Sequence, residues 1–201
     1  LSDGRLLSWS WDGTLRIWDG QADASSINLE GHADGVIGVR VLADGRLLSW
    51  SSGNNGTLRL WDGQTGAPLL TLEGEVSHTR DVLELFDGRV LAWPHWFDSP
   101  PCLWDGQTGA LIAILEGHTD EIRGIRVLSD GRLLSWTDDG TLRLWDGKTG
   151  ALLATLDGHT GRIAEVRMLS DERMLSWSWN AVRLWDQQKG VLVATLGGHT
   201  D

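Results

Sequence analysis

The sequence predicts an all-β fold of about five four-stranded antiparallel sheets strung along one chain, the first of them one strand short. Three observations carry this expectation. The segment Asp3-Gly-Arg-Leu-Leu-Ser-Trp9 returns, slightly altered, at Asp44, Asp87, Asp130 and Asp171, in steps of 41, 43, 43 and 41 residues. A fixed period of this size marks stacked supersecondary units, each burying its apolar face on the next. Every copy then reaches a Trp-Asp pair, at Trp18-Asp19, Trp61-Asp62, Trp104-Asp105, Trp145-Asp146 and Trp185-Asp186, and Gly-His closes four of the five units, at His32, His118, His159 and His199.

Residues 121–161 form the cleanest unit. Ile122, Ile125 and Val127 belong to a short first strand, and Asp130-Gly131 is a hairpin-turn signal. Leu133-Leu134-Ser135-Trp136 is the second strand. Asp139-Gly140 turns it into Thr141-Leu-Arg-Leu-Trp145, which alternates polar and apolar residues with the period of a strand. A longer turn from Asp146 to Gly150 leads to the fourth strand, Ala151–Leu156.

This frame, Gly-His to Trp-Asp at a period in the low forties, resembles the WD-repeat (WD40) β-propeller family, and in particular its highly repetitive bacterial members. The resemblance spans residues 1–201 and implies a propeller of about five blades, the first lacking its innermost strand, with boundaries near 1–34 (partial), 35–77, 78–120, 121–161 and 162–201. It also implies a structural tetrad in each blade, here His118, Ser135, Asp139 and Trp145. Ser8, Asp12 and Trp18 form a second set, completed by His199 if the ring closes. A serine, a histidine and an aspartate also suggest a hydrolase. A set that recurs blade after blade, without one preorganised oxyanion site, fits scaffold better than catalysis.

Composition narrows the partners. The net charge of −11 disfavours nucleic acid and anionic membrane surfaces, which require clustered Lys and Arg. No run of 18 apolar residues is present to span a membrane as a helix. Cys102 is the one cysteine, which excludes an internal disulfide and fits a cytoplasmic setting, although the chain opens inside a repeat. The histidines of the repeated slot are expected to spread around a ring, so no metal and no cofactor is expected.

The two ends fall in register: Leu1-Ser2 matches Leu128-Ser129, and His199-Thr-Asp201 matches His118-Thr-Asp120. Only the counterpart of residues 121–127 is missing between them. The expectation is a segment of a longer protein, with a fused effector domain or self-association through the open blade as further possibilities. The other reading is a five-blade closure with a gap or a borrowed strand.

Departures from the repeat are where individuality should lie. In the third unit Glu75 replaces the slot histidine, Ala92 the strand serine and Cys102 the repeated arginine, while Pro94–Pro101 replaces the short turn. That stretch reads either as a protruding loop for a partner or as drift. Trp11 and Trp179 precede the turn residues Asp12 and Asn180, on the face where family members dock their partners; in a closed five-blade ring they would be neighbours. Exposed indoles dominate binding hot spots. The candidate contacts are therefore Trp11, Trp96, Phe97 and Trp179, with the residues opening each later first strand: Gly35, His78, Glu121 and Arg162. The leading expectation is a non-catalytic scaffold or sensor that binds another protein. The alternative is a lectin-like, carbohydrate-binding propeller, and no constellation outside the repeats suggests an enzyme.

Overall fold

Hairpin pairing of the repeated motifs gives every sheet two different faces. In the computed structural model β13 (Leu133–Thr137) pairs antiparallel with β14 (Leu142–Trp145), with Leu133 opposite Trp145, Leu134 opposite Leu144, Ser135 opposite Arg143 and Trp136 opposite Leu142. Because side chains alternate along a strand, Leu134, Trp136, Leu142 and Leu144 share one face, and Ser135, Arg143 and Trp145 share the other. The first face is wholly apolar. The second carries polar groups beside a tryptophan.

Residues 1, 3–21, 25–53, 56–72, 74, 78–95, 99–170 and 172–197 are described by the structure. Among them nineteen strands and no helix make five sheets of three, four, four, four and four strands, each a simple antiparallel meander. The first comprises β1 (Leu6–Trp9), β2 (Leu15–Trp18) and β3 (Ser26–Leu29). The second comprises β4 (Val36–Val41), β5 (Leu47–Ser51), β6 (Leu58–Trp61) and β7 (Pro68–Leu72), and the third β8 (Thr79–Glu84), β9 (Val90–Pro94), β10 (Cys102–Trp104) and β11 (Leu111–Ile114). The fourth adds β12 (Ile122–Val127) and β15 (Leu152–Leu156) to β13 and β14. The fifth runs β16 (Ile163–Met168), β17 (Arg173–Ser178), β18 (Val182–Asp186) and β19 (Val191–Leu196). The first sheet lacks the strand that opens the others, as the repeat count predicts.

Two compact units result: Leu1–His95 with Pro101–Ile112, and the chain from Ala113 on. Within the first, Leu15, Ile17 and Leu29 pack on Leu47 and Trp61 of the second sheet. Leu48, Trp50, Leu58 and Leu60 of the second sheet then meet Val90, Ala92, Cys102 and Trp104 of the third. Within the second unit, Leu134, Trp136, Leu142 and Leu144 pack on Ile163, Val166, Met174 and Trp185. In each case the apolar face of one sheet covers the tryptophan-bearing face of the next. Trp61, Trp104 and Trp185 are consequently among the largest fully buried side chains. The apolar area each removes from water corresponds to about 4–6 kcal/mol before entropy is counted.

The Asp-Gly-Arg turn does more than reverse the chain. Asp3, Asp44 and Asp130 hold Arg5, Arg46 and Arg132 by ion pairs of 2.7, 2.6 and 2.7 Å. Each arginine so aimed donates to a backbone carbonyl of the following sheet: Arg5 to Gly63 at 2.8 Å, Arg46 to Gly106 at 2.5 Å and Arg132 to Gln187 at 3.0 Å. The receiving residue always follows the Trp-Asp pair. An exposed ion pair of this kind stabilises by only ~0.2–1 kcal/mol; its part is to orient the guanidinium. Sequence reading registered the turn and missed the clasp.

One expectation about the third unit is corrected. Pro94 does not begin the irregular turn but ends β9, opposite Thr79. Proline has no N–H to donate, and the next ladder bond is made by the His95 N–H to the His78 carbonyl at 2.8 Å. Cys102 is buried in the inter-sheet core.

The second strand's tryptophan sets one further requirement. The Trp50 and Trp136 rings lie flat on the backbones of Gly38 and Gly124, where a Cβ would sit 2.1 and 2.3 Å from ring carbons. Overpacking of this kind costs about 1–3 kcal/mol. Gly124→Ala is expected to destabilise the chain by that amount in chemical denaturation, and Gly161→Ala, whose Cβ would meet nothing within 4 Å, by far less.

Candidate functional site

A chain of hydrogen bonds recurs in the second, fourth and fifth sheets, and its direction follows from what each group can donate. Indole Nε1 only donates. Trp61, Trp145 and Trp185 each donate to a serine Oγ (Ser49, Ser135 and Ser176) at 2.8 Å. The same oxygens lie 2.6, 2.5 and 2.7 Å from Nε2 of His32, His118 and His159. With the indole proton already accepted, the serine hydroxyl gives its own proton to Nε2, and the histidine carries its remaining proton on Nδ1. That proton points to a second hydroxyl: Thr57 at 2.8 Å, Thr141 at 3.4 Å and Ser178 at 3.0 Å.

The expected tetrad is thereby corrected at its fourth member. Asp139 does not meet His118. It accepts from Thr141 Oγ1 at 2.8 Å and Thr137 Oγ1 at 2.5 Å, so a threonine stands between carboxylate and imidazole. The fifth sheet uses the same relay with an amide, Ser178 donating to Asn180 Oδ1 at 2.7 Å. A relay through a hydroxyl needs an acceptor at its end, and Asn serves as well as Asp. Loss of the carboxylate therefore leaves this network closed. Glu75, which replaces the slot histidine of the third unit, lies outside the described residues.

His32, His118 and His159 are neutral at pH 7. Burial, with the nearby guanidiniums of Arg59, Arg143 and Arg183 as the second cause, lowers His32, His118 and His159 from 6.5 to about 4; Asp139 opposes the shift at His118. Ser49, Ser135 and Ser176 are wholly buried. A hydroxyl with no exposed surface, already bonded on both sides, presents no nucleophile to a substrate.

The first sheet carries the same frame with a different outcome. Trp18 Nε1 donates to Ser8 Oγ at 2.8 Å, and Asp12 accepts from Thr14 N and Oγ1 at 3.0 and 2.7 Å. Here the residues border an open cleft of about 320 Å³ lined by Ser8, Trp9, Asp12, Thr14, Arg16 and Trp18. His199 lies outside the described residues. In the third sheet Ala92 replaces the serine and offers Trp104 no hydroxyl.

The candidate surface residues divide sharply. Trp11 and Trp179 occupy the same repeat position, one in each compact unit, and are 76% and 89% exposed. Gly35 is no surface contact: it is buried with Trp11 against its backbone, and its carbonyl accepts from Ser52 N–H at 2.8 Å. His78 is half-buried in a left-handed conformation, φ 56°. Glu121 accepts from Arg123 at 3.0 Å, and Arg162 pairs with Asp138 at 3.4 Å, while Arg123 also grips Asp138 through two nitrogens. Their charges are engaged within the protein. Trp96 and Phe97 lie outside the described residues. Among the described residues no three His, Cys, Asp or Glu side chains converge as metal ligands would.

A family model, the WD domain, G-beta repeat, matches residues 24–62 and 109–146. Each match ends on a Trp-Asp pair, Trp61-Asp62 or Trp145-Asp146. Comparison with curated proteins returns no match.

Two expectations follow from the network. Ser135→Ala leaves Trp145 Nε1 buried without its acceptor, at about 1–3 kcal/mol, measurable by denaturation against Ser129→Ala on an exposed turn. The second concerns pH. The unfolded chain takes up a proton on each histidine near 6.5, whereas the folded chain refuses it until about 4. Stability is therefore complete above 6.5 and declines as pH falls from 6.5 towards 4, because the unfolded state binds more protons there. Melting temperatures between pH 7 and 4 should show this fall, and His159→Gln should reduce its slope.

Proposed function

We propose that this chain, a member of the WD-repeat family, is a non-catalytic scaffold that binds another protein through the turns carrying Trp11 and Trp179. WD repeats generally mediate protein–protein interaction. What supports the finer reading is one observation: two large apolar rings stand exposed at one repeat position, where the other sheets carry Ser52, His95 and Asp138. Leaving an indole in water forgoes several kcal/mol of burial that a partner recovers, and a rigid ring loses little entropy on binding.

The same reading sets aside Glu121 and Arg162 as primary contacts, because their charges are engaged internally. It also gives the buried polar relay a purely structural part, that of keeping the turns at fixed positions.

The experiment is affinity capture from the native cell extract with the wild-type chain and with Trp11→Ala and Trp179→Ala, singly and together, followed by titration of the captured protein. Both side chains are exposed, so circular dichroism and thermal stability should not change. Loss of affinity by about 2 kcal/mol or more at either position is expected if that indole is a hot spot. Equal capture by wild type and double variant would remove both turns as sites, and saturable fluorescence changes with free glycans would favour carbohydrate binding instead.

A further inference from the structure

Each sheet has two ends, and the two ends carry different turns. In the first compact unit Trp11 rests on Gly35, just before β4, whereas the turn Leu42–Gly45 follows β4 at its far end. The six residues of β4 put these ends about 20 Å apart. The far end is joined across sheets. Ala43 N–H donates to Glu84 Oε2 at 2.8 Å, so the turn of the second sheet lies beside the close of β8. From there β8 runs into the turn Leu85-Phe86-Asp87-Gly88.

Phe86 is 86% exposed. Its repeat position holds Ala43, Ser129 and Ser170 in the second, fourth and fifth sheets, so the fold itself does not call for an aromatic ring there. The turn beneath the ring is nevertheless as well formed as its sisters. Leu85 N–H donates to the Arg89 carbonyl at 2.8 Å and Gly88 N–H to the Leu85 carbonyl at 2.9 Å, as Leu42 does to Arg46 at 2.9 Å and Gly45 to Leu42 at 3.0 Å. Leu85 is buried, and Asp87 pairs with Arg89 at 2.6 Å. The ring therefore stands on a fixed base, and little ordering is left to be done when something covers it.

The charges around it are exposed unequally. The side chains of Asp44 and Asp87 are 42% and 53% exposed, those of their partners Arg46 and Arg89 only 15% and 14%. Each pair is formally neutral, yet the guanidinium is turned inward and the carboxylate faces water. Glu84 stands between the two turns. Asp105, held ionised by the Thr108 and Gln107 N–H groups, lies near enough to Asp87 for their charges to oppose each other. No lysine occurs before Lys148. This end thus presents negative potential around one apolar ring.

We infer that this end of the first unit is a second docking surface, which takes a basic segment of a partner protein. An aliphatic side chain of that segment covers Phe86, and its arginine or lysine groups meet Asp44, Glu84 and Asp87. Opposite charge speeds the encounter, and the ring fixes where the segment stops. This surface is independent of the indole turns, since Trp11 lies at the opposite end of the same unit. With both ends occupied, the unit would hold two proteins together.

The test is selection of phage-displayed random dodecapeptides on the wild-type chain, after depletion on Phe86→Ser. That variant carries the residue of the fourth and fifth sheets and should melt as the wild type does. Enriched sequences should combine Arg or Lys with Leu, Ile or Met. A labelled peptide of enriched sequence should bind saturably by fluorescence anisotropy, at least tenfold more weakly to Phe86→Ser, and more weakly in high salt. Glu84→Gln keeps an acceptor for the Ala43 N–H and should weaken binding about threefold. Trp11→Ala should leave binding unchanged, so the two surfaces are read separately. No enrichment, enrichment of acidic or uncharged sequences, or indifference to Phe86→Ser or to salt would overturn the proposal. So would sedimentation showing a dimer that Phe86→Ser abolishes, because a second copy would then cover the ring.

Discussion

The serine hydroxyl shared between an indole N–H and an imidazole is the interaction on which the second, fourth and fifth sheets depend. It sits on the one face of the blade that is not wholly apolar, and in the second and fifth sheets that face is pressed against the apolar face of the preceding sheet. A buried N–H without an acceptor costs about 1–3 kcal/mol, and in these three sheets the serine removes that cost; the third sheet buries Trp104 with Ala92 in the serine's place. The serine in turn fixes the histidine, the histidine fixes a threonine or serine, and that hydroxyl fixes the turn. One hydroxyl thus links core packing to loop position.

Much of this was legible beforehand because the repeat states it several times. The period, the strand alternation and the absence of one strand from the first unit all reappear in the structure, since hydrophobic alternation at a fixed spacing leaves few other ways to bury the tryptophans. The fourth tetrad member was misassigned because Asp139 and Thr141 are both at hand in the same turn, and spacing alone cannot say which of two neighbours reaches a ring. The intervening hydroxyl could have been suspected from Thr14, Thr57 and Thr141 recurring in register. The arginine clasp was missed for a different reason. Its acceptor is a backbone carbonyl, which every residue has, so the sequence at the receiving end carries no mark of it.

The candidate surface was legible only in part. Exposure of Trp11 and Trp179 follows from their position before a turn, and it was expected. Burial of Gly35 follows from the Trp11 ring itself, which a one-dimensional reading places beside the next strand's opening without placing it on top. Glu121 and Arg162 read as candidate contacts in sequence, yet Arg123 and Asp138 draw them into a local ion network. Charge in this protein thus partly serves to hold the turns of the fourth and fifth sheets together.

The clasp from Arg5, Arg46 and Arg132 also bears on how such a chain can lengthen. Each donor side chain is encoded within its own unit, and each acceptor is main chain. A duplicated or exchanged unit therefore arrives with its outgoing bond already specified and finds a receiver in any successor. The fifth sheet makes the point within this molecule: Gln187 stands where Gly63 and Gly106 stand, and the bond is still made. Copying of whole units needs no matching change in the neighbour, which lets near-identical sequence accumulate along one chain without loss of the joints between its parts.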